Sequence, residues 1–250
     1  ACSTNPSKKE NTYPSLQQGE WKITFSTQGY NIPVLATYNG TELTILNADE
    51  KISMPITLSK DSFYISIPNF SAHLAGHILS ETKMEGFFTK ENAKDYNIPF
   101  TLVKTKEARF IEHQNPIYTL QTKYEITIDR GERKTKAIGL FHQNNNVLSG
   151  SFATETGDYR FLDGIVDGKT LKLSTFDGSH LFLFTADIKG DSLINGNYIS
   201  GKTGHYTWVG KSNPSFKLRN PEKLTYLKNA NETSVNFKLI STDGDSISLS

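Results

Sequence analysis

From Trp21 onward, apolar residues recur at every second position, as in "WKITF", "SFYISI", "YEITI", "LKLSTF" and "LFLFTA". A period of two sends alternate side chains to opposite faces of an extended chain, so these segments predict half-buried strands and leave little room for helices. Asn-Gly at 39–40 and Asp-Gly at 167–168 and 177–178 interrupt the runs. Such pairs readily adopt positive φ and predict two-residue hairpins, which make neighbouring strands antiparallel. Short strands spaced about 8 to 12 residues apart, with turn signals between them, predict an all-β antiparallel meander that closes as a barrel or pairs as a sandwich.

The pattern repeats on a larger scale. Residues 21–38 align without a gap on residues 124–141, matching Trp21 to Tyr124, Ile23 to Ile126, Leu35 to Ile138 and Tyr38 to Phe141, 103 positions apart. Further along, Gly86, Phe88, Tyr96 and Ile98 match Gly196, Tyr198, Tyr206 and Trp208 at a separation of 110, and His73 and His180 fall between at 107. Small loop insertions account for the drift. The expected all-β domain covers 19–211 and is barrel-like, built from two tandem repeats over approximately 19–104 and 122–211. The joining stretch "ARFIEHQNPIYTL" is too apolar for an open linker, which favours the copies merging into one shared barrel over two small ones.

Past Lys211 the alternation stops. Residues 212–233 read as a linker in which Asn220 caps a short helix beginning at Pro221. Residues 234–250 read as a strand, an Asp-Gly turn and the beginning of a second strand, a hairpin too small to be stable alone.

Composition then removes several functional classes. A chain of 250 residues buries roughly three quarters of its unfolded surface and needs no crosslinks for its size. With 27 Lys and Arg against 26 Asp and Glu, and no basic stripe, nucleic acid is not an expected partner. The longest apolar runs fall far short of the approximately 20 residues that span a bilayer as a helix. The single cysteine, Cys2, leaves no intrachain disulfide and no cysteine metal site. It sits in "ACSTNPSKKENTYP", which carries too little apolar surface to fold, so residues 1–18 are expected to form a disordered tether. An Ala-Cys-Ser start on such a tether looks like the processed end of a bacterial lipoprotein, with Cys2 as the lipid anchor. A stray surface thiol is the alternative.

Candidate chemistry gathers in "TETGDYRFLDGIVDGKTLKLSTFDGSHLFLF", residues 154–184. Alternation places Asp158 and Arg160 on one face, where they can form an ion pair, and Tyr159 and Phe161 on the other, in the core. Asp177 and Gly178 are expected to form a turn. His180 follows that turn and, with His73 as its counterpart, suits a repeated packing role. Asp158, Arg160, His180, Tyr206 and Trp208 are the candidate interaction or binding residues, and no catalytic set is assigned. His73 and His77 share a helical metal spacing, but on a strand they lie about 13 Å apart and cannot share an ion, so no metal is expected. "GERKTK" (131–136) reads as a solvated cationic hairpin tip.

"GSFATETGDYRFLDG" (150–164), "LKLSTFDGSHLFLF" (171–184) and "LINGNYISG" (193–201) resemble the β-rich N-terminal region of membrane-anchored TlpA-type thiol-disulfide oxidoreductases of Bacteroidota. The resemblance covers roughly 19–250, with its best anchor from Gly150 to Trp208. The first copy agrees mainly through "DSFYISIPNF" and "MEGFF". It implies a lipid-anchored chain facing the periplasm in the cell envelope. It also implies a thioredoxin-like domain opening with a phrase like "FKLISTDGDSISLS", with its Cys-x-x-Cys beyond Ser250. Thiol-disulfide exchange needs a thiolate of lowered pKa and a resolving cysteine. Cys2 alone supplies neither, so the expected role within 1–250 is accessory and cofactor-free. The partners so implied are the membrane through the lipid, the chain's own thioredoxin-like domain, and protein clients. The alternative is a barrel that binds a small apolar ligand in its interior.

Overall fold

The computed structural model describes residues 15–67, 70–220, 231 and 237–249, with Arg160 and Leu249 described in backbone only. The first copy forms β1 (Gly19–Thr27), β2 (Tyr30–Tyr38), β3 (Glu42–Asn47), β4 (Glu50–Ser59), β5 (Ser62–Ser66), β6 (Ala72–Ser80), β7 (Lys83–Lys90) and β8 (Asn97–Lys104). The second forms β9 (Lys123–Asp129), β10 (Lys134–Asn144), β11 (Val147–Thr154), β12 (Gly157–Asp167), β13 (Thr170–Phe176), β14 (Leu181–Lys189), β15 (Ser192–Ser200) and β16 (Gly204–Ser212). Within each copy, every strand pairs antiparallel with its sequence neighbour. β8 returns to β1 and β16 to β9, giving two closed eight-stranded barrels in tandem.

The copies therefore do not merge into one shared barrel. The apolar linker that suggested merging is accounted for by packing: Leu120 is buried in the second core and Phe110 lies against the first. The registers confirm the repeat of the first hairpin, since Trp21 faces Ala36 as Tyr124 faces Gly139. They correct it further on. Phe88 faces Ile98 and Tyr198 faces Tyr206, which makes Tyr206, not Trp208, the counterpart of Ile98. The turn between β15 and β16 is shorter than that between β7 and β8, and this shifts the alignment. His73 and His180 are not equivalent either. His73 faces Thr89 within β6, the place that Leu183 takes opposite Ile199, while His180 precedes β14.

Of the three predicted two-residue turns, the one expected at Asp167–Gly168 forms one residue further on, as Gly168–Lys169 between the paired Asp167 and Thr170. The turn at Asn39–Gly40 takes three residues and the one at Asp177–Gly178 takes four. The short helix expected after Asn220 falls at 221–230, outside the described residues. Lys217–Ser250 forms a separate unit. In it β17 (Phe237–Ile240) and β18 (Ser246–Leu249) form a hairpin on which Phe237, Leu239, Ile240 and Ile247 are exposed.

Eight-stranded barrels are just wide enough for side chains to fill, and aromatic residues fill these two. Phe25 packs against Phe88 and Phe100 in the first, and Phe152 stacks on Phe184 at 4.5 Å and meets Trp208 edge-on in the second. The barrels share a seam. Phe176, Leu181, Leu183 and Ile199 of the second belong to the core of the first, and the Phe176 ring lies 4.8 Å from Phe25 and 5.0 Å from Phe88. Asn47, fully buried, donates to the Phe176 carbonyl at 3.0 Å.

At the centre of the seam stands Arg109, 4 % exposed. Its guanidinium donates to the carbonyls of Pro33 and Leu46 in the first barrel, to the Ser174 hydroxyl at 3.1 Å and to Asp163 at 3.2 Å in the second. Burial lowers its pKa and Asp163 opposes that shift. Asp167 ties the linker down a little further along, accepting from Lys172 Nζ and from the backbone N–H groups of His113 and Gln114, each at 2.9 Å.

Two outcomes follow from this seam. Arg109→Met should lower the free energy of unfolding by about 3 kcal/mol, because removing one partner leaves buried acceptors and a carboxylate unpaired. Urea denaturation measures this, and wild-type stability would show that the apolar contacts suffice. Asp167 is held well below the usual carboxylate range, first by Lys172 and then by His113. Its contribution is therefore present above about pH 4 and lost as pH falls towards its folded pKa. Asp167→Asn should make the loss of urea stability between about pH 5 and about pH 2 shallower, and an unchanged slope would contradict the assignment.

Candidate functional site

The strand period that builds the second core also builds its mouth. On β9, Tyr124, Ile126 and Ile128 point inward, and Arg130 continues their phase just beyond the strand. On β13, Leu171 and Leu173 point inward and Thr175 follows them, facing Phe182 of β14. Arg130, Thr175 and Phe182, together with Tyr159, Asp158, Tyr198, Ser200, Asp177, His180 and Phe70, line a half-open cleft of about 620 Å³.

Aromatic rings form its wall. Tyr159 lies edge-on to Phe182 at 5.3 Å and to Tyr198 at 5.4 Å, and Tyr198 stacks flat on Phe184 at 4.2 Å, closing the barrel beneath. Arg130 bridges the wall. Its Nη2 donates to the Tyr159 hydroxyl at 2.5 Å, and its guanidinium lies over the rings of Tyr206 at 4.7 Å and Tyr198 at 5.8 Å. These are cation–π distances. Burial raises the Tyr198 pKa, so its phenol stays protonated.

Asp177 organises the rim. Its carboxylate accepts from the backbone N–H of Ser179 at 2.8 Å and of His180 at 2.6 Å, and meets His180 Nδ1 at 2.9 Å. Burial works to raise its pKa, but these hydrogen bonds hold it below the usual value. The turn needs glycine at 178, where φ is 93° and a Cβ would come within 2.5 Å of Ile67 Cγ2. Lys90 of the first barrel has its pKa lowered by burial, which the nearby Asp177 carboxylate opposes.

The residues anticipated from sequence separate into two groups. Asp158 and His180 meet in the cleft, and Tyr206 reaches it through Arg130. Trp208 lies 1 % exposed inside the barrel, where its indole N–H donates to the Asn197 carbonyl at 3.1 Å. Arg160 is on β12, and its side chain, with the anticipated Asp158 ion pair, lies outside what is described. Phe161, expected in the core, is exposed. A β-bulge explains this: Gly150 faces Leu162 but Phe152 faces Tyr159, so Arg160 and Phe161 together oppose Ser151. The extra residue flips the alternation, and Leu162 points inward instead.

Arg130 and Thr175 were missed, although each continues an inward-facing run, Tyr124-Ile126-Ile128 and Leu171-Leu173. Polar residues at the end of such runs mark a barrel mouth. Thr175 is 3 % exposed, and its hydroxyl has no hydrogen-bond partner among the described residues. Nucleophilic chemistry would need that hydroxyl bonded to a base. His180 is turned to Asp177, so the cleft presents an aromatic wall, the Arg130 guanidinium and the Thr175 hydroxyl.

No protein-family model matches the chain, and no curated protein shows significant similarity to it.

Thr175→Val keeps the shape of the side chain and removes its unsatisfied hydroxyl. The free energy of unfolding should rise by about 1 kcal/mol in urea titrations. A fall would mean that the hydroxyl is already satisfied in the folded protein.

Proposed function

We propose that the chain is the accessory β region of a lipid-anchored thiol-disulfide oxidoreductase, holding a redox domain off the membrane and receiving its protein clients. The observation that carries this reading is the double barrel itself. Two filled cores are joined through Arg109 and the Phe176–Leu181 turn, which suits a spacer of fixed length better than a container. The interiors are occupied by stacked aromatic side chains, and this weighs against a small apolar ligand inside either barrel. The resemblance of 150–208 to the β-rich region of TlpA-type proteins supports the same role. Cys2, the only cysteine, serves as the attachment point for lipid and takes no part in electron exchange.

Two measurements test the reading. Expressed in a bacterial host behind a lipoprotein leader, the chain should fractionate with membranes, and Cys2→Ser should release it. The purified chain should show no insulin-disulfide reductase activity above that of buffer. Reductase activity that survives Cys2→Ser, or membrane association that survives it, would overturn the proposal.

A further inference from the structure

Asp158 lines the mouth cleft and also a second depression, of about 590 Å³, in which Leu140 and Phe161 stand at the surface. The two hollows thus meet at one residue on the edge of the second barrel. Phe161 is held at φ 47°, a conformation that costs a bulky L-residue energy, and it is 39 % exposed. The bulge accepts backbone strain and apolar exposure at the same position in order to aim this ring outward. Inside the mouth, the Thr175 hydroxyl is buried without a partner among the described residues. Among the described residues, the Arg130 guanidinium, which carries five donors, makes one hydrogen bond, to Tyr159, and otherwise rests on ring faces.

We propose that this surface binds an extended, aromatic-bearing segment of another polypeptide. One aromatic side chain enters the mouth among Phe70, Tyr159 and Phe182, and a second apolar side chain rests on Leu140 and Phe161. The proposal deepens the client-receiving role and rests on it. An extended chain fits because the site is two open hollows joined at an edge, where a compact small molecule would need one enclosed cavity. Main-chain carbonyls match the donors of Arg130 and Thr175, since they are neutral acceptors. Main-chain N–H groups match the Asp158 carboxylate at the shared edge. Arg130 offsets one of the two carboxylates Asp158 and Asp177 that line the mouth, and the negative charge left over favours a neutral or weakly basic segment over an acidic one.

The test titrates the isotope-labelled chain with a short acetylated and amidated peptide carrying Phe and Leu among Gly, Ser and Lys, followed by NMR. Saturable shifts confined to the two hollows are expected, with micromolar affinity. Replacing both apolar residues of the peptide by Ser should weaken binding about tenfold, as for loss of anchor side chains. Phe161→Gly should weaken it about fivefold while leaving Tm equal or higher, because glycine is at ease at positive φ. Absence of saturation, equal binding of the Ser peptide, or unchanged affinity in Phe161→Gly would overturn the proposal. So would N-acetyltyrosinamide binding as tightly as the peptide, which would make this a small-molecule site. Such failures leave the lipid-anchored spacer standing, because that role is read from Cys2→Ser fractionation. Peptide binding by a chain whose Cys2→Ser variant stays on membranes would do the reverse.

Discussion

The guanidinium of Arg109 is the group on which the arrangement of the two barrels depends. A buried cation is tolerated only where acceptors surround it, and here the acceptors come from both barrels: main-chain carbonyls of Pro33 and Leu46 on one side, Ser174 and Asp163 on the other. Any rotation of one barrel against the other would separate some of these acceptors from the charge, and apolar contacts alone tolerate such sliding. The linker thus supplies the orientation, and the apolar seam supplies most of the adhesion. Asp167 adds a second fixed point by holding the amides of His113 and Gln114, so the linker is anchored on both sides of its apolar stretch.

The hairpin of β13 and β14 carries this coupling to the mouth. Because successive residues of a strand face opposite ways, Phe176 and Leu181 enter the first barrel while their neighbours Thr175 and Phe182 face into the second. One hairpin therefore closes one barrel and furnishes the opening of the other. Its turn is fixed by Asp177, whose carboxylate binds two backbone N–H groups and the His180 ring. The polar residues that drew attention in the sequence hold that turn, and the groups open to a partner stand behind them.

Strand phase and the places where the chain turns were legible in the sequence, because both are local, although the turn lengths were not. The period of two located the strands, and the repeat of the Trp21 segment at Tyr124 survives in the hydrogen-bonded register. What could not be read depends on register or on distant contacts. The bulge at Arg160–Phe161 changes which residues face inward without altering composition, so Phe161 looked like core. The match of Ile98 to Trp208 slipped because alternating residues align equally well when shifted by an even number of positions, whereas that of His73 to His180 fails because His180 lies in a turn, three residues before Leu183, the true counterpart. Closure as two barrels was missed because an apolar linker is consistent with either arrangement, and only the seam it enters distinguishes them. The role of Arg109 carries no mark in the linker sequence, since four acceptors from distant strands leave no local trace.

With the registers corrected, the two copies differ most where they open. Ile52 faces Ile45 as Tyr159 faces Phe152, and Ile98 faces Phe88 as Tyr206 faces Tyr198. Ile67, whose N–H donates to the Ala72 carbonyl, takes the place that Thr175 holds opposite Phe182. At one end of the first barrel, then, stand isoleucines and an alanine, covered by Phe176 of its neighbour. At the same end of the second stand Tyr159, Tyr206, Thr175, Phe182 and Arg130, beside a half-open cleft that Phe70 of the first barrel also lines. Stability alone does not call for this difference, because the first copy shows that aliphatic residues fill the same positions in a closed barrel. A buried hydroxyl without a partner and a guanidinium resting on ring faces cost more to desolvate than the isoleucines they replace. The copy that keeps them has its polar groups gathered at the opening, where an incoming chain could restore the hydrogen bonds they lack.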